Sequence, residues 1–265
     1  MYPFNYHRAK NLADAAQKLA ASGDARLLAG GQTLVAAMKL RLAAPSDLVD
    51  LRDVAELRGI GNEGKNLLIG AMSRHAEVAS SKEVRQAIPA LAALAAGIGD
   101  PMVRNMGTLG GSVANNDPAA DYPAAVLGLG ATITTSKRRI EADKFFTGMY
   151  ETALQPGEII TAISFPVPKR AGYAKFRNPA SRYAIVGVFV ADFGGSARVA
   201  VTGAGPSVFR VAEMEKALAK KFSAEAVAKI AVPAGGLNSD IHASAEYRAH
   251  LVTVMARRAV GQALA

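Results

Sequence analysis

Two glycine pairs offer backbone, rather than side chains, as the means of holding a ligand. The first lies in Leu27-Leu28-Ala29-Gly30-Gly31-Gln32-Thr33-Leu34, where an apolar run breaks at Gly-Gly and resumes after Gln-Thr. The second lies in Met106-Gly107-Thr108-Leu109-Gly110-Gly111-Ser112-Val113-Ala114-Asn115-Asn116-Asp117-Pro118, which carries three glycines, two hydroxyls and two amides. Glycine permits positive φ and close approach of the backbone to a ligand. Successive N–H groups in such a turn form a concavity for an anion, and a helix starting beside them adds its own free amides. One Gly-Gly pair by itself is more often a plain tight turn. Two, each with hydroxyl neighbours, shift the reading toward a diphosphate gripped from two sides. Asp121 follows the second motif at a distance that suits a ribose, whose hydroxyls donate to a carboxylate. Neither motif is the G-x-G-x-x-G of a Rossmann fold, and no P-loop is present. Gly128-Leu129-Gly130 lacks the third glycine and precedes an expected strand.

Other chemistries find little support. The chain has no cysteine, which removes disulfides, thiol catalysis, cysteine-ligated zinc and iron–sulfur clusters. His7, His75, His242 and His250 show no metal-ligand spacing; each reads as structural or superficial, and His75, at an expected helix start, is the one to inspect. No nucleophile elbow is present. Asp117 and Asp121 are four apart, but Pro118 between them favours a loop over a helix that would align them. Met102 and Met106 are expected in the core, and Tyr150 and Glu151 suggest no role.

These residues need elements to position them. A helix is expected from Asn11, its cap, to about Ala20, with Gly23 ending it. A short strand over Arg26–Ala29 runs into the first glycine pair, and a helix over Thr33–Leu40 follows. Strands are expected at Asp47–Leu51 and Asn66–Ala71, a helix from a Ser73 cap through Val78, and an Ala-rich helix over Gln86–Ala96 that Pro89 delays. Thr132–Thr135 and Ile140–Ala142 read as a hairpin and Glu158–Phe165 as a strand ending at Pro166. Residues 166–172 are the expected linker. Beyond it come strands at Ile185–Ala191 and Arg198–Thr202 and helices at Ala212–Ala219, Ala224–Ile230 and Ala245–Leu264. Strands and helices mix without a strict βαβ rhythm, which indicates an α+β fold in two parts.

The 265 residues are half hydrophobic and one-fifth charged, the composition of a chain that buries a core. The net charge of +9 is scattered, with no basic run longer than three and no interleaved aromatics. A solvated surface explains it better than a nucleic-acid site, and an acidic partner subunit or anionic ligand comes second. The N-terminus lacks a signal-peptide core and no apolar run is long enough to span a bilayer, so a soluble, cytoplasmic protein is expected.

At this point the sequence resembles the FAD-binding medium subunits of molybdenum hydroxylases, the carbon monoxide dehydrogenase and xanthine dehydrogenase family. The residues that carry the resemblance are Ala29-Gly30-Gly31-Gln32-Thr33-Leu34 with Met38-Lys39-Leu40-Arg41, then Ile69-Gly70-Ala71. Asp100-Pro101-Met102-Val103-Arg104-Asn105-Met106-Gly107-Thr108-Leu109-Gly110-Gly111, Asn115-Asn116-Asp117-Pro118-Ala119-Ala120-Asp121 and Ser244-Ala245-Glu246-Tyr247-Arg248 complete it. It covers nearly the whole chain.

The resemblance implies a bilobed FAD-binding domain of the vanillyl-alcohol oxidase type over residues 1–168, with lobes of about 1–55 and 56–168. A small α+β domain over 172–265 would follow. It implies that Leu28, Ala29, Gly30, Gly31, Gln32, Thr33 and Leu34, with Thr108, Gly110, Gly111, Ser112 and Asn115, hold the FAD. Asp121 would take its ribose or adenosine end, Ile160 an apolar flavin contact, and Tyr183 a place near the isoalloxazine. Most relatives carry Gly-Asp before that aromatic, where this chain has Ser181-Arg182. Arg177 matches a basic position near the flavin, with Lys175 competing for it. The FAD would be non-covalent, with molybdopterin and [2Fe-2S] clusters on a large and a small partner subunit. The assembly would be a dimer of heterotrimers, and electrons would leave to NAD, oxygen or a quinone. A self-sufficient FAD-dependent reductase or oxidase, and a cofactor-free basic nucleic-acid-binding or assembly protein, are the rival readings.

Overall fold

The computed structural model describes residues 1–265 and builds the chain from three units. The first contains β1 (Asn5–Arg8), α1 (Leu12–Ala20), β2 (Arg26–Leu28), α2 (Leu34–Lys39) and β3 (Asp47–Asp50). Its strands form a parallel sheet in the order β1-β3-β2. Asn11 caps α1 by accepting from the Asp14 amide at 2.8 Å, as its residue type anticipates. The edge strand β1 was not anticipated. Its Asn-Tyr-His-Arg sequence is polar and largely exposed, so it lacks the apolar signal of a buried strand.

The second unit opens with β4 (Ile60–Glu63) and β5 (Asn66–Gly70). Six short helices follow: α3 (His75–Ser80), α4 (Lys82–Ala87), α5 (Pro89–Ala96), α6 (Pro101–Met106), α7 (Leu109–Asn115) and α8 (Tyr122–Gly128). Then come β6 (Thr132–Thr135), β7 (Arg139–Glu141), β8 (Phe146–Gly148), β9 (Glu151–Thr152) and β10 (Ile160–Pro166). Five of these strands form an antiparallel sheet in the order β4-β5-β10-β6-β7. Several expectations change here. Ser73 does not cap α3; Arg74 precedes it, and the Glu77 carboxylate accepts from the Arg74 amide at 2.7 Å. The single helix expected over 86–96 is split, because Ile88 takes a non-helical conformation ahead of Pro89. The second glycine motif, expected as a loop, is largely helix α7.

The third unit contains β11 (Arg170–Arg177), β12 (Ala184–Asp192), β13 (Ala197–Thr202), β14 (Phe209–Arg210), α9 (Ala212–Lys220), α10 (Ala224–Val227) and α11 (Ala245–Leu264). Its antiparallel sheet runs in the order β11-β12-β13-β14. The expected linker over 166–172 is only a short connection, since β10 ends at Pro166 and β11 begins at Arg170. One face of this sheet packs on α11 through Val186, Val188, Val190 and Val199. Phe189, Ala191 and Ala200, which alternate with those residues, enter the core of the second unit. The third unit therefore braces the second. Asp143 adds an ion-paired clamp across the same boundary to Arg198 and Arg210. No helix is long and apolar enough to cross a membrane.

Candidate functional site

The first glycine corner follows directly from the parallel sheet. β2 ends where Leu28 accepts from the Leu51 amide at 3.0 Å, and the chain then reverses through Gly30 and Gly31 into α2. Gly31 has φ of +70°, in the left-handed region where a side chain is strained. The amides of Gly30, Gly31, Gln32, Thr33 and Leu34 donate to no acceptor within the protein. Thr33 precedes α2 without capping it. Gly30, Gly31 and Leu34 are half-buried and Gln32 and Thr33 exposed, so this run of free amides at the start of α2 is open to an acceptor from outside the protein.

The second corner has a different construction. Residues 73–75 and 107–109 meet as a short antiparallel bridge, with His75 N–H on Gly107 O at 2.9 Å and Leu109 N–H on Ser73 O at 3.0 Å. Gly110 N–H donates to Ala71 O at 2.8 Å, and the Thr108 hydroxyl caps α7 by accepting from Gly111 N–H at 3.2 Å. The glycines here are needed for packing. A Cβ at Gly110 would lie 2.6 Å from Ala71 Cβ and 2.9 Å from Ala71 O, and one at Gly107 would lie 2.5 Å from His75 Nε2.

The two corners touch. A Cβ at Gly30 would overlap the Met106 carbonyl oxygen and sit 2.8 Å from Gly107 Cα, while one at Gly111 would face Ala29 Cβ at 3.7 Å. Between and beyond them lies a cleft of about 560 Å³. Of the residues read from the sequence as cofactor contacts, all but Arg177 line it. Arg177 does not line this cleft. It is exposed at the end of β11, where the pairing with β12 shifts register, and it borders a separate hollow between α5, β11 and α11.

Asp121 lines the cleft with its carboxylate already half engaged. Its Oδ1 accepts from the Tyr173 hydroxyl at 2.5 Å and pairs with Lys175 Nζ at 2.8 Å. Lys175 in turn donates to Gly97 O, at the C-terminal end of α5, at 3.0 Å. Burial pushes the Asp121 carboxyl up and Lys175 and Tyr173 oppose it; burial and the Asp121 charge hold the Tyr173 phenol far above its ordinary range. Lys175 is thus the basic residue of β11 in direct contact with Asp121, while Arg177 acts on that carboxyl only through its charge.

Some cleft residues escaped the sequence reading. His75 is 5% exposed and lines the wall, its ring tilted on Tyr122 at 5.2 Å between centroids. Its Nδ1 and the Tyr122 hydroxyl are both buried without partners. Burial, reinforced by Arg104, lowers the imidazole to about 4 and leaves it neutral. Ile98, Gly99 and Val103 complete that wall. Of these only Val103 lies within the Asp100–Gly107 motif, and its apolar side chain carries no chemistry of its own. At the rim stands Tyr183, 48% exposed, beside Arg182, which takes φ of +63° and reaches Gly99 O at 3.4 Å. Met102 and Met106, expected in the core, are 80% and 51% exposed on α6, none of whose residues is buried. The short helix lies on the outer side of the cleft wall and has nothing packed over it.

Residues 2–168 match the family model for the FAD binding domain in molybdopterin dehydrogenase, and residues 171–263 match that for the CO dehydrogenase flavoprotein C-terminal domain. The carbon monoxide dehydrogenase medium chain of Afipia carboxidovorans is 40% identical, over 99% of this chain and 97% of that one. The nicotine 6-hydroxylase medium subunit of Paenarthrobacter nicotinovorans is 36% identical, over 97% and 96%. Among solved structures, reconstituted CO dehydrogenase from Oligotropha carboxidovorans superposes with a TM-score of 0.89 at 37% identity, covering 98% of this chain and 97% of that one. Quinoline 2-oxidoreductase from Pseudomonas putida 86 does so with a TM-score of 0.89 at 31% identity, over 99% and 98%. With its cleft, its two glycine corners and both domains matched, the chain belongs to the family of FAD-binding medium subunits of molybdenum hydroxylases, oxidoreductase complexes with large and small partner subunits.

Proposed function

We propose that the chain binds FAD non-covalently in this cleft and passes electrons from an iron–sulfur partner to an external acceptor. The observation that carries the reading is the run of free amides from Gly30 to Leu34, facing a cleft whose opposite wall is the second glycine corner. A diphosphate needs such donors, and both corners would fail with larger residues, so the residues present fit the cofactor. FAD, when bound, supplies the redox chemistry, accepting and releasing electrons.

The chain's own residues bind and orient. The amides of 30–34 and the hydroxyls of Thr33 and Ser112 take the diphosphate. Thr108 and Gly110 hold the second wall in place, and Asn115 adds an amide. Asp121, fixed through Oδ1 by the third unit, presents its remaining carboxylate oxygen to ribose hydroxyls. Ile160 supplies an apolar contact, and Tyr183 stands at the rim. Burial, then the charge of Asp117, pushes the Tyr183 phenol up, so it stays protonated and able to donate. The molybdopterin and [2Fe-2S] groups belong to the large and small subunits, in a dimer of heterotrimers. The acceptor is one of NAD, oxygen or a quinone.

A self-sufficient oxidase or reductase would need a free acid or base in the cleft. Its buried carboxylates are engaged, Asp121 by Lys175 and Tyr173, and Glu158 by Arg138 and Thr135, which hold the Glu158 carboxyl down at about 2; the neutral His75 and the half-buried Asp117 are the titratable groups that this reading would have to use.

The absorption spectrum of the purified chain under FAD titration tests the reading. Flavin bands saturating at one equivalent, with the flavin released by acid precipitation, are expected. A chain that stays colourless at saturating FAD overturns it.

A further inference from the structure

Arg177 borders a second hollow of about 500 Å³, apart from the cleft. Three elements wall it. β11 contributes Lys175 and Arg177, α11 contributes Met255 and Arg258, and α5 contributes the uncharged Ala90 and Ala93. Gly172 brings β11 against α11 beneath it. A Cβ there would overlap the Ala259 carbonyl oxygen and lie 3.0 Å from Ala263 N, so close backbone packing sets the gap.

The charge in this hollow is one-sided, because no carboxylate lines it. Arg170, earlier on β11, pairs with Asp192, and Arg248, earlier on α11, pairs with Asp240. Arg177 and Arg258 have no carboxylate partner, although both line the hollow. Lys175 forms its inner end, with a side chain only 4% exposed. The ammonium gives two of its three N–H donors to Asp121 and Gly97 O. Two unpaired guanidinium groups beside a buried ammonium favour an anion, and the alanines and Met255 favour an apolar body attached to it. The volume suits a whole small molecule better than one inserted side chain of a partner.

We infer that this hollow binds a small organic carboxylate, and that its occupant is coupled to the FAD cleft through the Lys175–Asp121 pair. The binding claim stands apart from the proposed function, whereas the coupling rests on it. Lys175 and Arg177 both oppose the burial that disfavours the Asp121 carboxylate. A carboxylate at Arg177 offsets part of that positive charge, so Asp121 becomes a weaker acceptor for ribose hydroxyls. Linkage makes the effect mutual, and each ligand weakens the other by one factor.

The test titrates the full chain by calorimetry with hexanoate, its neutral isostere hexanamide and inorganic phosphate, with and without FAD. Wild type is compared with the double variant Arg177→Gln with Arg258→Gln. Hexanoate should saturate one site in wild type, with hexanamide and phosphate weaker by roughly tenfold or more. The double variant should lose hexanoate affinity by roughly the same factor and keep its thermal midpoint. Saturating hexanoate should weaken FAD about fivefold in wild type and leave FAD binding to the variant unchanged. No saturable hexanoate binding, equal affinity for hexanamide or phosphate, or full hexanoate affinity in the variant overturns the site. So does loss of hexanoate binding once the chain is assembled with its partner subunits, which would give the hollow to a partner. Displacement of hexanoate that grows without limit as FAD rises puts the anion in the cleft instead and also overturns it. An FAD affinity indifferent to bound hexanoate overturns the coupling. FAD titrated alone decides the proposed function, a separate readout.

Discussion

At the first glycine corner the five amides from Gly30 to Leu34 have no acceptor in the protein, whereas at the second the amides of Gly107 and of Leu109 through Ser112 are all taken. The residue types are nearly the same: glycine pairs, a hydroxyl neighbour, a helix that follows. The first corner leaves the end of a parallel strand and points outward. The second lies across the bridge from residues 73–75 and backs onto Ala71, so its glycines serve close packing. A glycine-rich motif thus has two separable uses, free amides and close approach, and a diphosphate site can draw one from each wall. Gly30 of the first corner is closely packed as well, on the Met106 carbonyl, so the contrast lies in the amides, free at the first corner and engaged at the second.

The largest effect should come from the second corner. Gly110→Ala forces a methyl group against Ala71 backbone, and overpacking of this kind costs roughly 3 kcal/mol. Urea denaturation should show that loss with or without FAD. An unchanged midpoint would mean that close packing does not hold the second corner and would erase the contrast.

Next in size is a pH effect at the same wall. His75 is held near 4 by burial, against an ordinary value of about 6.5. Between those values the unfolded chain binds a proton that the folded chain does not, so stability is fully present above about 6.5 and falls as pH drops toward 4. By pH 5 the loss is roughly 2 kcal/mol. In His75→Leu the fall between pH 7 and pH 5 should shrink by about that amount, whatever the variant's stability at pH 7. Equal slopes in the two proteins would show that the imidazole is not buried against Gly107.

The smallest effect on stability belongs to the first corner. Gly31→Ala strains a left-handed residue by about 1 kcal/mol and meets side-chain rather than backbone atoms, Val35 Cγ2 at 3.0 Å and Leu28 Cδ1 at 3.4 Å. Because the free amides depend on that turn, FAD should bind at least tenfold more weakly while the denaturation midpoint barely moves. A variant whose stability suffers more than its FAD affinity would show that the first corner serves packing before binding.

Much of the site was legible in the sequence. The glycine corners at 28–34 and 107–112 are each local in sequence, Tyr183 came only from the family resemblance, and all of them line one cleft. Elements with strong periodicity or caps were also legible, including α1, α9 and α11. The short helices α6, α7 and α8 were not, because six or seven residues give too little periodicity to separate a helix from a glycine-rich loop. Met102 and Met106 were misread for a related reason. Apolar character says that a residue prefers burial, but whether anything is packed over it depends on neighbours far along the chain. Lys175 and Arg177 lie two apart on β11, a spacing that gives no ground for choosing between them. In the folded chain Lys175 pairs with Asp121, while Arg177 lies exposed past the register shift at the end of β11.

The amino-acid order alone determined that two glycine corners exist, that the chain has no cysteine to offer a metal or cluster, and that the family is one of flavin-binding subunits. Tertiary structure decided which corner keeps its amides free, which carboxylate oxygen of Asp121 is available, that His75 is buried and neutral, and that α6 faces solvent. The reason is physical. Composition and spacing fix what each residue can do, but a hydrogen-bond donor is free or engaged according to acceptors such as Ser73 and Ala71, brought to it only when the chain has folded.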